Sequence, residues 1–250
     1  MSGQDQAEFE KWANARNPLQ GRIYADYTAF EIDALKRTAD VCASSEAMVA
    51  LLRAVDHVVR HRIPGALIEC GVFTGGNIEL MIRALQHLKI ADRDIYAYDT
   101  FAGMPRPQAI DDEGLGGAIR ASWEAHRLDA DGDSGSTWMR ASLEAVRERI
   151  GRLGYPKERI HFVKGLVEDT IPAVAPERIA ILRLDTDFYS STKHELRHLY
   201  PRLSPGGVLI IDDYGAMPGS RIATDEYGTE NDTRWLLHRV DAHVRLVLKS

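Results

Sequence analysis

From residue 66 onward the chain repeats one pattern, a short and continuously apolar run followed by a stretch with helical spacing. The runs are 66–70 (ALIEC), 95–98 (IYAY), 160–164 (IHFVK), 179–184 (IAILRL) and 208–211 (VLII), with helices expected over 75–90, 139–153 and 190–203. Strands that are apolar on both faces and separated by helices belong to a parallel sheet covered on both sides. The fold class is therefore α/β, a doubly wound and mostly parallel sheet. Such a sheet restricts where a ligand can sit, because ligands bind outside the carboxyl ends of the strands. The tail 243–249 (HVRLVLK) alternates and is expected to add a last edge strand.

Two segments do not follow the pattern. Before the first strand, 1–19 is polar and patternless, and 28–41 and 46–61 are expected helices. In the second of these, Met48, Leu51, Leu52, Val55, Val58 and Val59 mark one buried face before Pro64-Gly65 breaks the helix. The other is the interval 101–138, rich in glycine, proline and acidic residues, which is expected to be a substrate lid or a disordered loop. The expected organisation is an N-terminal arm with helices over 1–63, then one domain over 64–250 carrying the 101–138 insertion. A formal net charge of −6 argues against a nucleic-acid partner. Cys42 and Cys70 lack any CxxC spacing, no run reaches the ~20 apolar residues of a membrane span, and the first residues lack a signal peptide. A cytoplasmic protein with no membrane contact is expected.

Polar signals collect at the expected strand ends. The first is Glu69-Cys-Gly71-Val-Phe-Thr-Gly75-Gly76, where glycines let a ligand approach the backbone at a helix N-terminus. Its spacing is not that of a dinucleotide loop. Acidic Glu69 repels a pyrophosphate and suits the cationic amino group of S-adenosylmethionine. Asp99, directly after the second run, suits a pair of ribose hydroxyls or caps a turn. After the third run, Asp169 and Thr170 either border an adenine site or cap a short helix. Finally, Asp185 and Asp187 end the fourth run, and Asp212-Asp213 the fifth. Adjacent carboxylates at the end of an apolar strand repel unless a cation neutralises them, so Asp185, Asp212 and Asp213 are candidate ligands for one hard cation such as magnesium. Whether Asp187 joins them depends on whether the chain has turned by that point.

His194-Glu195-Leu-Arg-His198 matches the HExxH zinc-peptidase pattern. Thr192, Leu196, Leu199 and Leu203 form the apolar stripe of that helix, and the two histidines are expected off it, toward solvent.

With these residues in view, the sequence resembles the macrocin O-methyltransferase family of sugar O-methyltransferases from natural-product pathways. The segments that carry the resemblance are PGALIECGVFTGGN (64–77), YDTFAGMP (98–105), VKGLVEDTIP (163–172), LRLDTDFYSST (182–192), LSPGGVLIIDDYG (203–215) and SRIATDEY (220–227). The resemblance implies a class I methyltransferase (Rossmann-like) fold, S-adenosylmethionine as methyl donor and a requirement for Mg2+. It implies Asp185, Asp212 and Asp213 as metal ligands, Asp187 as general base, and Glu69, Gly71 and Asp99 around the donor, with Gly75 and Asp169 bordering it. Thr186 stands where the family commonly has glycine. The expected acceptor is a hydroxyl of a rhamnose-type deoxysugar, nucleotide-linked or on a glycoside; a catechol is the alternative, since its vicinal oxygens also chelate magnesium. Tyr24, Tyr27, Phe30, Trp123 and Trp138 either offer ring faces to the acceptor or pack against the domain. A homo-oligomer is expected, with 1–63 contributing lid and oligomer contacts.

Overall fold

The computed structural model describes residues 24–128 and 135–250, so the arm 1–19 and part of the acidic run DADGDSGS lie outside the described residues. Helix α1 (Ala29–Arg37) starts at a capping box in which the Thr28 hydroxyl accepts from the Glu31 amide and the Glu31 carboxylate from the Thr28 amide. Helix α2 (Ser45–Arg60) is capped by Ser44 and buries Met48, Leu51, Leu52, Val55 and Val58, the stripe its spacing predicts. Both helices share a hydrophobic cluster with the sheet residues Leu67, Ile181, Val208 and Ile210.

Seven strands form one sheet: β1 (Ala66–Cys70), β2 (Ile95–Asp99), β3 (Ile160–Lys164), β4 (Ile179–Leu184), β5 (Leu203–Ile211), β6 (His238–Arg239) and β7 (Arg245–Leu248). Their spatial order is β3-β2-β1-β4-β5-β7-β6. The first five run parallel, while β7 pairs antiparallel with β5 and β6 antiparallel with β7. The tail thus forms the expected added strand. Two-residue β6 is too short to leave an alternation in the sequence. β5 begins five residues before the apolar run VLII, because Pro205-Gly206-Gly207 is accommodated where the pairing with β4 shifts register.

Helix α3 (Gly76–His87) packs with α1 and α2 on one face. On the other, Ile68, Cys70, Leu182, Leu184, Leu209 and Ile211 meet Leu196 and Leu199 of α7 (Tyr189–Leu199). Both faces are covered, which is why the strands carry apolar residues at successive positions.

The insertion is folded over its described part. It holds a 3-10 turn (Ala109–Asp112) and α4 (Ala118–His126). Asp112 accepts from the amides of Ile119 and Arg120 at 2.7 and 3.0 Å, capping α4 where Gly117 has no side chain to do so. Trp123 is 1% exposed and donates to the Met104 carbonyl, as does Ser136. Asp111, also buried, accepts from the amides of Gln108 and of Tyr189, the first residue of α7 (Tyr189–Leu199). The insertion therefore supplies the N-terminal cap that α7 lacks.

The remaining helices are α5 (Leu143–Gly151), the single turn α6 (Val167–Thr170) and α8 (Pro218–Glu230). Pro218 opens α8 at the position where proline fits a helix. The buried residues of α8 include Gly219, Ser220, Ala223 and Thr224, small side chains that write no apolar stripe. Among the described residues, no helix is long and apolar enough to cross a membrane.

Candidate active site

Chain order reverses between β1 and β4, and the carboxyl ends of these two neighbours define the crevice at which an open α/β sheet binds ligands. Two adjoining cavities open there. The first, about 420 Å3, runs toward β2 and β3 and is lined by Thr100, Arg106, Gly165, Glu168 and Thr186 among others. The second, about 300 Å3, runs toward β5 and is lined by Cys42, Trp138, Asp187, Asp212, Asp213 and His243. Gly71, Asp99, Met104, Met139 and Asp185 line both.

Backbone conformation makes the junction. Gly71 has φ +86°, and a Cβ built on it would lie 1.8 Å from the Asp185 carbonyl oxygen, so no other residue fits. The Gly71 amide donates to the Tyr98 carbonyl, and the Asp185 amide to that of Cys70. Asp99 holds the loop after Gly71, accepting from the amides of Val72 and Phe73 at 2.7 and 3.0 Å and, through its other oxygen, from Phe101 at 2.6 Å. Three of its roughly four acceptor sites are thereby engaged. Burial pushes the Asp99 carboxyl above its usual value, while these three amides pull it down.

The strand β4 ends at Leu184, and the chain has turned by Asp187, which has φ +66°. The Phe188 amide donates to the Thr186 carbonyl at 2.7 Å, closing a three-residue turn around Asp187 of the positive-φ kind that is rare and strained. This turn answers the question the sequence leaves open. It brings an oxygen of Asp187 within 4.8 Å of oxygens from both Asp185 and Asp213. Burial pushes Asp187 up to about 7 and Asp213 well above the carboxylate range, with Asp185 adding repulsion to both.

Asp212 has a different partner. Arg183, 2% exposed and the penultimate residue of β4, donates from Nη2 to Asp212, and from Nη1 to Asp185 and to Glu69, the last at 2.9 Å. Glu69 and Arg183 are direct cross-strand partners in the β1–β4 register. Burial opposes the charge on Arg183, but the three surrounding carboxylates keep it firmly protonated. Sequence reading overlooked Arg183, although a lone cation inside IAILRL was itself a signal that buried anions lie beside that run.

Other expected residues take other places. Glu69 is fully buried, lines neither cavity, and is pushed up to about 8 by burial, with Arg183 acting against the rise. Gly75 caps the start of α3 at φ +87° behind the second cavity's wall of Thr74, Gly76 and Asn77. Asp169 is exposed in α6 and lines neither cavity, whereas its neighbour Glu168 lines the first. Of the aromatics, Trp138 lines the second cavity. Trp123 is buried within the insertion, Phe30 stacks on His87, and Tyr24 and Tyr27 line a separate groove beside α2. In the HExxH segment, His194 is half-buried with Nε2 on the Ile171 carbonyl instead of facing solvent, because α6 and the chain after it pack over that side of α7. Glu195, between the histidines, points into the protein and is fully buried.

Comparison with known proteins agrees with this geometry. A family model described as Macrocin-O-methyltransferase (TylF) matches residues 33–246. The chain is 34% identical over 177 residues to mycinamicin III 3''-O-methyltransferase of Micromonospora griseorubida, covering 71% of this chain and 65% of that protein. It is 33% identical over 178 residues to demethyldecarbamoylnovobiocin O-methyltransferase of Streptomyces niveus, covering 71% and 63%. The matched stretch is thus under two thirds of either relative's own length. The solved structure of the O-methyltransferase NovP superposes with a TM-score of 0.74 at 25% identity over the whole of both chains. The calicheamicin methyltransferase CalS11, at 18% identity and a TM-score of 0.61, shares the fold. The sheet is that of class I O-methyltransferases, and the chain belongs to the macrocin O-methyltransferase family.

Proposed function

We propose that the protein is an S-adenosylmethionine-dependent O-methyltransferase that methylates a hydroxyl of a deoxysugar, with a divalent cation on its acidic cluster. The observation that carries this reading is the pair of cavities meeting at Gly71 and Asp185, with Asp187, Asp212 and Asp213 lining only the second. A donor in the first cavity and an acceptor in the second would face each other across a backbone junction.

The donor set fits a hard cation. Asp185, Asp187 and Asp213 offer oxygen atoms only and lie mutually close, and burial, with the charge of Asp185 beside them, raises the Asp187 and Asp213 carboxyls. Asp185 and Asp213 would hold the ion, with Asp212 as a ligand through the oxygen that Arg183 leaves free, and Asp187 stands beside them. S-adenosylmethionine would supply a sulfonium methyl, and a cation held by these carboxylates would make the acceptor hydroxyl more acidic.

The chain's own residues do the rest. Asp187, pushed toward neutral pH, is poised to take the acceptor proton. Gly71 and Asp99 border the donor, the remaining lone pair of Asp99 serving its ribose while Glu168 lies toward the β3 end. Glu69, sealed beneath the loop, pairs with Arg183 and makes no direct contact with the donor. Arg183 bridges Asp185 and Asp212 and offsets the repulsion between them. Trp138 and Met217 give the second cavity apolar surface for a sugar face. Positioning two reactants in line supplies most of the rate that such a transfer needs.

The relatives are named for mycinamicin, novobiocin and a rhamnosyl-tetracenomycin, the last as a 4'-O-methyltransferase of Streptomyces olivaceus; they support a sugar on a natural product as acceptor. The test is methyl transfer to deoxysugar nucleotides, finished glycosides and catechols, each with EDTA or with added Mg2+. Transfer to a sugar that stops in EDTA and resumes with Mg2+ is expected. Full activity in EDTA would remove the cation, and transfer to catechols alone would remove the sugar.

A further inference from the structure

The most heavily buried acid of α7 is unused by the chemistry above. Glu195 is fully buried, and its Oε2 has no hydrogen-bond partner. Its Oε1 accepts from the Thr186 hydroxyl at 3.0 Å, and the buried Cys70 thiol lies against the same carboxyl. An ionised carboxylate with one oxygen unpartnered is costly inside a protein, whereas a neutral carboxyl is tolerated. Burial accordingly pushes Glu195 well above the usual range, and Glu168 pushes it in the same direction.

What Glu195 holds is informative. Thr186 stands between Asp185 and Asp187. Its carbonyl accepts from the Phe188 amide at 2.7 Å and the Ser191 hydroxyl at 3.3 Å, while its hydroxyl reaches Glu195. Residue 186 is thus pinned at both ends, immediately before the positive-φ turn at Asp187. A strained turn persists only where its surroundings over-determine it.

We propose that Glu195 is a positioning residue for the acidic loop, acting through the Thr186 hydroxyl to hold Asp185 and Asp187 in one arrangement. The proposal rests on the divalent-cation reading above. It also gives the HExxH segment its role: the glutamate faces inward as a neutral strut, and His194 packs against the chain around α6 with the His198 ring beside it.

The test uses wild type, Glu195→Gln, Glu195→Ala, Thr186→Val and the Thr186→Val/Glu195→Ala pair. Mn2+ affinity is measured by calorimetry, donor affinity beside it, and kcat in the same preparations. Glutamine reproduces a neutral carboxyl, keeping an oxygen for Thr186, so it is expected within about twofold of wild type. Loss of one net hydrogen bond in Glu195→Ala or Thr186→Val is expected to weaken Mn2+ by about five- to tenfold, with donor affinity unchanged in Glu195→Ala, since Glu195 lines neither cavity. The double variant is expected to be no worse than the weaker single. Wild-type Mn2+ affinity in Thr186→Val, which keeps the shape of threonine should Glu195→Ala not fold, overturns the proposal. Additive losses, or Glu195→Gln as poor as Glu195→Ala, also overturn it. A wild-type chain that transfers methyl without taking up Mn2+ ends the cation reading alone, and the same pattern in kcat then decides this proposal. A chain that does neither overturns both.

Discussion

The contact between the insertion and α7 gives the sharpest quantitative prediction. Asp111 accepts from the Gln108 and Tyr189 amides, each at 2.7 Å, and is 2% exposed. Replacing it with alanine leaves two part-buried amides without this partner and removes the side-chain cap that the start of α7 receives. Loss of an N-cap costs ~1 kcal/mol, and an unpartnered buried donor about 1–3 kcal/mol, so Asp111→Ala should lose about 2–4 kcal/mol. Burial pushes the Asp111 carboxyl above its usual value in spite of these amides, so the acceptor oxygens matter more than the charge. Asp111→Asn, which keeps Oδ1, should therefore cost only ~1 kcal/mol. A second route to the same contact exists. A Cβ on Gly219 would lie 2.1 Å from Asp111 Oδ1 and 2.7 Å from the Tyr189 amide nitrogen, so Gly219→Ala should mimic Asp111→Ala, and the pair should not add. Urea denaturation of the four variants measures the energies. The donor KM should rise with them, since Met104, Arg106 and Gln108 of the insertion line the first cavity. Equal stability of Asp111→Ala and wild type, or equal loss in the alanine and asparagine variants, would refute the reasoning.

Other expectations are briefer. Arg183→Met strands buried Glu69 without its partner, and such a loss typically costs about 3–5 kcal/mol; a change below ~1 kcal/mol in urea would mean that Glu69 is neutral without help. Asp99→Ala should weaken donor binding and also loosen the loop at Val72 and Phe73, so hydrogen exchange at those amides should accelerate; protection equal to wild type would show that the loop holds itself. Trp138→Ala should raise the acceptor KM with little effect on stability, whereas Trp123→Ala should cost ~3–5 kcal/mol and act through the fold of the insertion. The reverse pattern in melting and kinetics would exchange the two roles.

How much of this was readable beforehand varies by residue. The carboxyl ends of parallel strands share one edge, so Asp99, Asp185 and Asp213 could be placed together from order alone. Depth along that edge could not: two-residue alternation does not say whether Glu69 ends in a cavity or beneath one, and its register partner Arg183 is 114 residues away. The turn at Asp187 depends on Thr186 being held by groups from α7, a tertiary effect with no local signature. Similarly, α4 escaped notice because its cap, Asp112, sits several residues before the helix, and α8 because it packs small side chains. The histidine pattern at 194 and 198 misled about exposure, since nothing local announces that the chain around α6 covers that side of α7.

Gly71 has a consequence for how such an enzyme can change. Its side-chain position is filled by the carbonyl of Asp185, so the partition between the two cavities is backbone on both sides. Backbone does not drift as side chains are exchanged. If donor and acceptor meet across it as proposed, the span a methyl group must cross is a property of strand pairing. Trp138, Met217, His243 and the insertion can then be replaced to admit a new acceptor without recalibrating that span. Diversification of substrate and preservation of reach are assigned to separate parts of the chain.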